Sequence, residues 1–547
     1  MKKHFNFADM IEMVAESVPE REALVCGDQR VTYAEMDERA TRLANYLKAQ
    51  GVGAGEHVGL YLYNCVEYLE AMYACFKIRA VPINVNYRYV KDELLYIFDN
   101  ADMVALVHGR EFVPFIEEVK SAAPKLRTYV YVEDGSSEDP ASIGAVSYSD
   151  AIAQGSTDRD FGERSDDDLF MLYTGGTTGM PKGVMWPHKN LFFAAMGGLG
   201  FNNPDGPCKT PEEPAERAKN GFPVGAMPLA PLMHGACWWY ACIGLLSGYK
   251  LVLNHHRTLR GEDVWDLAEK EAVNSITIVG DAMAIPLLDA LEANPGRWKL
   301  DMLFSVGSGG AVFSESKQEQ FKAHFPNVMI TNSFGSSESG AMGWDSGDKK
   351  KRGSALGNVE RSEFMDVLVQ NEDGSWRHAE AGGGEEGIFA RSGYIPLGYY
   401  NAPEKTAETF VMVDDKRWLL TGDSATLESD GSINIYGRGS NCINSGGEKI
   451  FPEEVEAALK SHEGVFDALV VATPDERFGN KVTAVVQARE GAELSLDAIQ
   501  EHCRQHISGY KVPRALHLID TIPRAPSGKP DYKTAKDHAL SGAGQVA

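Results

Sequence analysis

The sequence predicts an α/β fold: parallel-rich sheets flanked by helices, with a small α+β unit at the C-terminal end. Three observations lead there. Short, β-rich apolar runs alternate with longer amphipathic stretches through most of the 547 residues, as in βαβ units. Those runs are continuously apolar, which is how strands buried on both faces read. No fixed-period repeat or low-complexity tract interrupts the pattern, so a solenoid is excluded. At roughly 150 residues per domain, the length allows about three or four domain-sized units.

In chain order, residues 58–63 read as a strand and 66–79 as a helix. Residues 103–107 and 128–132 are further strands, followed at βαβ-like spacing by 275–279, 302–306 and 328–331. Residues 201–222 and 343–354 read as loops, the second carrying the solvated basic run Lys349–Arg352. After a Gly/Ser/Asn-rich stretch at 437–447, Pro452–Leu459 opens a helix with an early Pro and acids in its first turn, as the helix dipole favours. Strands at 468–471 and 482–487 and an amphipathic stretch at 496–507 complete a compact unit. This divides the chain into 1–438 and 439–547, with a hinge near Ser440.

Composition narrows the function. Hydrophobic residues make up 43% and charged residues 24%, so the chain is not mostly disordered. Eight irregularly spaced Cys with no C-x-x-C pair exclude a disulfide scaffold and a thiolate zinc site. The net charge of −25 opposes nonspecific nucleic-acid binding, yet a local nest of backbone N–H groups can still hold phosphate. Asp9, Glu12 and Glu16 interrupt any signal-peptide h-region, and no window nears 18 uninterrupted apolar residues. The expectation is a cytoplasmic protein without a membrane span.

The segment Leu172–Val184 is the most informative. Three glycines and three threonines occupy Thr174, Gly175, Gly176, Thr177, Thr178 and Gly179. Glycines let N–H groups turn toward an anion, hydroxyls add donors, and Lys182 adds a positive charge. The set suits a polyphosphate. It is not a Walker loop, because Met180 and Pro181 separate Gly179 from Lys182 and Gly183 follows, where that loop needs Gly-Lys-Ser/Thr.

With this motif the chain resembles the adenylate-forming superfamily, which includes acyl-CoA synthetases, over roughly residues 20–535. The resemblance implies a large N-terminal domain of parallel-rich sheets with a small barrel-like part, a small mobile α+β C-terminal domain, and use of ATP, Mg²⁺ and coenzyme A. Further motifs match in order. Pro231–His234 resembles the segment whose His borders the acyl pocket, and Gly235, Trp238 and Trp239 follow it. Gly280 and Gly307 join them as pocket candidates. Ser308, Gly309 and Gly310 resemble the turn lying along adenine and the acyl chain. Phe334-Gly335-Ser336-Ser337-Glu338 resembles the motif whose aromatic stacks on adenine, whose hydroxyl meets the α-phosphate and whose Glu holds magnesium. Asp423 is implied at the ribose hydroxyls, and Arg438 at the ribose and phosphate. Gly446 and Gly447 match the loop lining the pantetheine tunnel. Lys529, in Pro526–Pro530, matches the lysine of adenylation. Lys529, Glu338, His234 and Ser337 are thus the candidate catalytic residues.

Two departures stand out. Ser440 and Asn444 replace the family's hinge Asp and a later Lys, which removes a charge contact but leaves a backbone able to pivot. Gly235 stands where amino-acid-activating relatives place an Asp, and no carboxylate lies between Gly235 and Lys250. An ammonium would be unpaired there, so an uncharged acyl tail is expected. No carrier domain follows Lys529, which favours free coenzyme A as acceptor. The stretch 437–456 and the region 201–222 resemble a bacterial branch that includes ligases for steroid side chains and medium-to-long acids. The expectation is a fatty or sterol-derived acid, an acyl-AMP intermediate, and a homodimer. The alternatives are transfer to a carrier protein or other acceptor, and a nucleotide-binding protein without catalysis.

Overall fold

The computed structural model describes residues 2–174, 180–200, 206–311, 313–345, 358–438, 442–445, 448–475, 479–507, 509–525 and 529–546. Two eight-stranded sheets build the large N-terminal part. The first runs in the order Gly398–Tyr399, Lys182–Pro187, Leu169–Thr174, Val81–Asn84, His57–Tyr61, Met103–Gly109, Thr128–Val132 and Val146–Ser147. It is parallel from Leu169–Thr174 onward and antiparallel at the other edge. The second runs Gly340–Asp345, Met329–Ser336, Ser305–Gly309, Ser275–Ile278, Gly225–Pro228, Lys250–Leu253, Glu22–Cys26 and Gln29–Thr32, parallel except at its two edges. A third, antiparallel sheet spans residues 358–438 and takes the place of the expected barrel-like part.

Helices pack in the way their sequences dictate. Tyr33–Ala49 starts with a capping box in which Thr32 and Glu35 exchange side-chain-to-backbone bonds, filling two otherwise orphaned donors. The largest core joins the N-terminal helix Phe7–Ser17 to both sheets, and in it Trp238 stacks on Phe170 with centroids 4.0 Å apart. A small C-terminal unit has its own sheet, in the order Val465–Asp475, Gly479–Ala488, Ala515–Leu518 and Gln545–Val546. Helices Pro452–Lys460, Leu496–His506 and Tyr532–Leu540 cover it, with a separate core around Leu459, Val470, Val486 and Leu516.

Three sequence expectations need correction. The strand expected at 302–306 lies at Ser305–Gly309; Leu303 N closes a turn on Leu300 O, and Met302 and Phe304 are exposed despite being apolar. Within the expected loop 201–222, Glu213–Asn220 is helical, with Arg21 donating to the carbonyls of Ala218 (2.7 Å) and Lys219 (3.5 Å) at its C-terminal end. Residues 343–345 belong to the strand Gly340–Asp345, because they pair with the strand ending at Ser336; Lys349–Arg352 lies outside the described residues.

One feature of the core escaped the sequence reading. Lys77 is fully buried, and its Nζ donates to Glu12 at 2.8 Å and Asp37 at 2.7 Å. Arg164 pairs with Asp9 at 2.8 Å and Glu12 at 2.9 Å. Burial alone would raise the Glu12 pKa, but Lys77 and Arg164 outweigh it and hold it at about 2. Its contribution to stability is therefore complete above the ordinary value of 4.5 and lost as pH falls toward about 2. Lys77→Met leaves Glu12 with only Arg164 and Asp37 with only Arg159 as close buried or part-buried partners, and we expect a loss of up to about 3 kcal/mol, the low end for a broken buried pair. The thermal midpoint at neutral pH should drop, and acid destabilisation in that window should shrink. A midpoint equal to wild type would show that the network adds nothing.

Candidate active site

Four strands of the second sheet, Gly225–Pro228, Ser275–Ile278, Ser305–Gly309 and Met329–Ser336, run parallel. Their carboxyl ends therefore share one edge, where ligands bind in open α/β sheets. Four predicted motifs lie there. Pro231–His234 follows the first strand, Gly280 the second, Gly307–Gly310 ends the third and leaves it, and Phe334–Glu338 ends the fourth.

Packing explains the glycines. A Cβ on Gly307 would sit 3.3 Å from Thr331 Oγ1 and 3.5 Å from Thr277 Oγ1, and one on Gly309 would meet Ser333 Oγ at 2.7 Å. These residues belong to the strand itself, not to a turn after it as expected. Ser308 is buried; its Oγ accepts from Gly280 N at 3.0 Å and its carbonyl from Ser333 Oγ at 2.9 Å. The start of the helix Gly280–Ala293 is thus tied to the neighbouring strand. Gly310 has φ +87°, a turn conformation that glycine adopts without strain.

The first sheet supplies the polyphosphate candidate. Thr174 ends a strand and pairs with Lys182 of the antiparallel neighbour; Gly175, Gly176, Thr177, Thr178 and Gly179 lie outside the described residues. Lys182 Nζ approaches Met180 O at 3.5 Å, and Tyr96 donates to Pro181 O at 2.7 Å. Asn84 donates to Tyr173 O at 3.1 Å and Met233 O at 2.8 Å, and accepts from Tyr173 N at 2.8 Å. One side-chain amide thereby joins the strand entering the Gly/Thr loop to the segment bearing His234.

His234 precedes the helix Gly235–Leu246. A Cβ on Gly235 would lie 2.8 Å from Leu172 Cδ2, so helix and strand approach closely. Trp239 packs near Gly235, and its Nε1 is buried without a partner among the described residues. Trp238 is 2% exposed between Phe7, Phe76 and Phe170. It is core packing and not a pocket wall, because the helix turns its face inward.

Phe334 lies over Gly343, where a Cβ would touch its ring at 2.7 Å. The turn that follows is stapled by Ser336 and Ser339, whose backbone N–H groups each donate to the other's Oγ at 2.9 and 3.1 Å. Ser337 and Glu338 form its tip. Trp186 Nε1 donates to Ser337 O at 2.8 Å, and the Tyr399 hydroxyl donates to Glu338 Oε1 at 3.0 Å. Asn84, Trp186 and Tyr399 were missed in the sequence, where a lone Asn, Trp or Tyr carries no motif.

On the third sheet Asp423 pairs in register with Arg438, bringing two separate motifs opposite each other. The Asp423 N–H donates to Thr421 Oγ1 at 3.1 Å. Lys529 is exposed; its carbonyl accepts from Ala525 N at 2.8 Å, and Arg524 and Pro530 form an isolated bridge beside it. Ser440, Gly446 and Gly447 lie outside the described residues. A groove of about 600 Å³ lined by Trp298, Leu300, His324 and Phe325 sits at the opposite strand ends and touches none of these residues. Among the described residues, no helix is long and apolar enough to cross a membrane.

Comparison with known proteins bears on the whole chain. A family model described as AMP-binding enzyme matches residues 11–400, and one described as AMP-binding enzyme C-terminal domain matches 454–529. A Rhodococcus rhodochrous protein named 3-oxocholest-4-en-26-oate–CoA ligase is 47% identical over 97% of this chain and 95% of its own length. A Mycolicibacterium smegmatis protein named medium/long-chain-fatty-acid–CoA/3-oxocholest-4-en-26-oate–CoA ligase is 44% identical over 97% and 96%. The crystal structure of an anthranilate CoA ligase with anthranoyl-AMP has the same fold, with a TM-score of 0.82, 23% identity and 99% of both chains covered.

The Glu338 turn gives a structural prediction. A Cβ on Gly335 would fall 2.1 Å from Gly340 O and 3.3 Å from Ala341 Cα, so Gly335→Ala must part the hairpin. We expect a cost of about 1–3 kcal/mol, visible as a lower thermal midpoint. Unchanged stability would mean that the two strands separate freely at this point.

Proposed function

Because the chain belongs to the AMP-binding enzyme family, we propose that it activates a bulky or long apolar carboxylic acid, fatty or sterol-derived, and passes it to coenzyme A. It is an AMP-forming acid–thiol ligase. The acid class rests on one observation: near-full-length identity with ligases named for steroid and medium/long-chain fatty acids. The helix after His234, Gly235–Leu246, has no charged residue, which suits an uncharged tail and would leave an ammonium unpaired.

The chemistry proceeds in two displacements. A carboxylate is a poor acyl donor, because oxide is a bad leaving group. In the first step a carboxylate oxygen of the acid bonds to the α-phosphorus of ATP and the bond to pyrophosphate breaks. Two anions meet, so charge neutralisation and alignment dominate the barrier. In our reading the Gly/Thr hairpin between Thr174 and Lys182 cradles the outer phosphates, and Phe334 offers its face to adenine. Asp423 accepts from the ribose hydroxyls, as a carboxylate can from a diol. Arg438 reaches the ribose and phosphate, Ser337 meets the α-phosphate, and Lys529 meets the reacting oxygens.

Glu338 offers a carboxylate whose Oε1 accepts from the Tyr399 hydroxyl, and Ser336 and Ser337 precede it in the same turn. Such hard oxygen donors fit Mg²⁺, which binds through one or two carboxylates and substrate phosphates. When bound, Mg²⁺ supplies neutralisation of phosphate charge. In the second step the coenzyme A sulfur bonds to the acyl carbon, the acyl–oxygen bond breaks and AMP leaves. Lys529 has no task there, and the thiol needs a path. The unit 439–547 turns about Ser440 between the steps, exchanging Lys529 for the loop at Gly446 and Gly447.

A panel of fatty, aromatic and sterol-derived acids, read by AMP and pyrophosphate release with and without coenzyme A, tests the reading. Acyl-AMP formation that coenzyme A never accelerates would refute the acceptor. Lys529→Ala should slow adenylation by about 10²–10³-fold, while supplied acyl-AMP still becomes thioester. Ser440→Pro should do the reverse by fixing the pivot. Equal loss of both half-reactions in either variant would count against the alternation.

A further inference from the structure

The turn bearing Ser337 and Glu338 is held from a third side by a charge that no sequence motif flagged. Arg391, on the strand Glu386–Ser392, is 1% exposed. Its Nη1 donates to Ser339 O at 2.5 Å and to Ala341 O at 2.6 Å. These carbonyls flank Gly340, whose φ of +70° makes the corner leaving the turn. The Arg391 Nε is buried without a partner, and among the described residues no carboxylate pairs with the guanidinium. Burial alone draws its pKa down to about 10.

A buried cation with no counter-ion is expensive, and this molecule avoids it elsewhere. Lys77 and Arg164 are buried too, but each meets carboxylates at 2.7–2.9 Å. Trp186 and Tyr399 already hold the Ser337 carbonyl and the Glu338 carboxylate. Arg391 adds the stem of the same turn and places beneath it a positive charge that no carboxylate among the described residues neutralises. An anion arriving at the turn is the natural complement.

We propose that Arg391 is a positioning residue for polyphosphate binding: it sets the turn that presents Ser337 and Glu338 through two backbone carbonyls, and its charge is completed by the bound nucleotide. This deepens the function proposed above and rests on that turn facing the triphosphate.

Titration calorimetry of ATP with Mg²⁺ and with EDTA, on wild type, R391M and R391K, tests it without turnover. Arg391→Met should weaken Mg-ATP binding by about tenfold to a hundredfold, the size of a lost bond to a charged group. It should slow acyl-AMP formation in proportion. Conversion of supplied acyl-AMP to thioester involves no β- or γ-phosphate, only the α-phosphate that Ser337 meets, and should fall by less than Mg-ATP affinity does, whereas a merely structural defect would lower both alike. Arg391→Lys keeps the charge but cannot bond both carbonyls as the planar fork does, so its affinity should fall between the two. If R391M does not fold, R391K decides: weaker binding with the thioester step retained supports the proposal. Wild-type affinity in either variant, or equal loss of both half-reactions, overturns it. Wild type that binds ATP but activates no acid would instead sink the functional reading and leave the binding comparison standing.

Discussion

Parallel pairing of four strands is the constraint on which the rest of the site depends. Because Gly225–Pro228, Ser275–Ile278, Ser305–Gly309 and Met329–Ser336 all point one way, each crossover helix starts, and each ligand-facing turn opens, at the same edge. Residues distant in sequence then need only local chemistry to cooperate. That proximity has a steric cost, visible at Gly307, Gly309 and Gly335, where a Cβ would press on neighbouring strands. Glycine at these places answers the packing of the sheet, whatever ligand lies above it.

Charge is arranged in two contrasting ways. The molecule as a whole carries −25, a field that repels a polyphosphate at long range. In the core, Lys77 and Arg164 are paired with Glu12, Asp37 and Asp9, so both cations meet carboxylates directly. At the Glu338 turn the guanidinium of Arg391 meets, among the described residues, two backbone carbonyls and no carboxylate. An anion site in so acidic a protein must be locally positive, and buried charge screened little by salt does that better than mobile surface lysines.

The fold class was readable because the strands are buried on both faces and therefore uniformly apolar; Thr128–Val132 was found with its ends correct. Reading failed where exposure contradicts residue type. Met302 and Phe304 look like strand interior yet face solvent, which displaced the expected strand by three residues. The helix Glu213–Asn220 is polar and short, and a distant arginine, Arg21, serves its carbonyl end. In the candidate site, contiguous motifs such as Phe334–Glu338 could be picked out because their residues follow one another along the chain. Asn84, Trp186, Arg391 and Tyr399 act across it: Tyr399 reaches Glu338 from a strand of the first sheet, paired with Val184. Only the assembled sheets create that relation, so no single-chain pattern encodes it. Trp238 shows the converse, since adjacency to His234 suggested a pocket wall while the helix phase turned it into the core.

The proposed alternation between two steps needs a small C-terminal unit that is stable by itself and able to turn. Its cores, around Leu459, Val470 and Leu516 and around Leu469, Val485 and Ala535, are closed on themselves, and a buried Lys460–Asp467–Arg524 cluster ties helix, strand and the approach to Lys529 together. Across the junction, Arg489 meets Asp289 at 3.7 Å with both side chains part-exposed. An exposed pair of this kind is worth about 0.2–1 kcal/mol, an amount that substrate binding or release easily exceeds. Ser440, where the family resemblance implies a charged hinge residue, brings no charge of its own to the junction. Under the proposed alternation the orientation of the unit would follow what occupies the site, so that a single hinge serves two reactions in sequence.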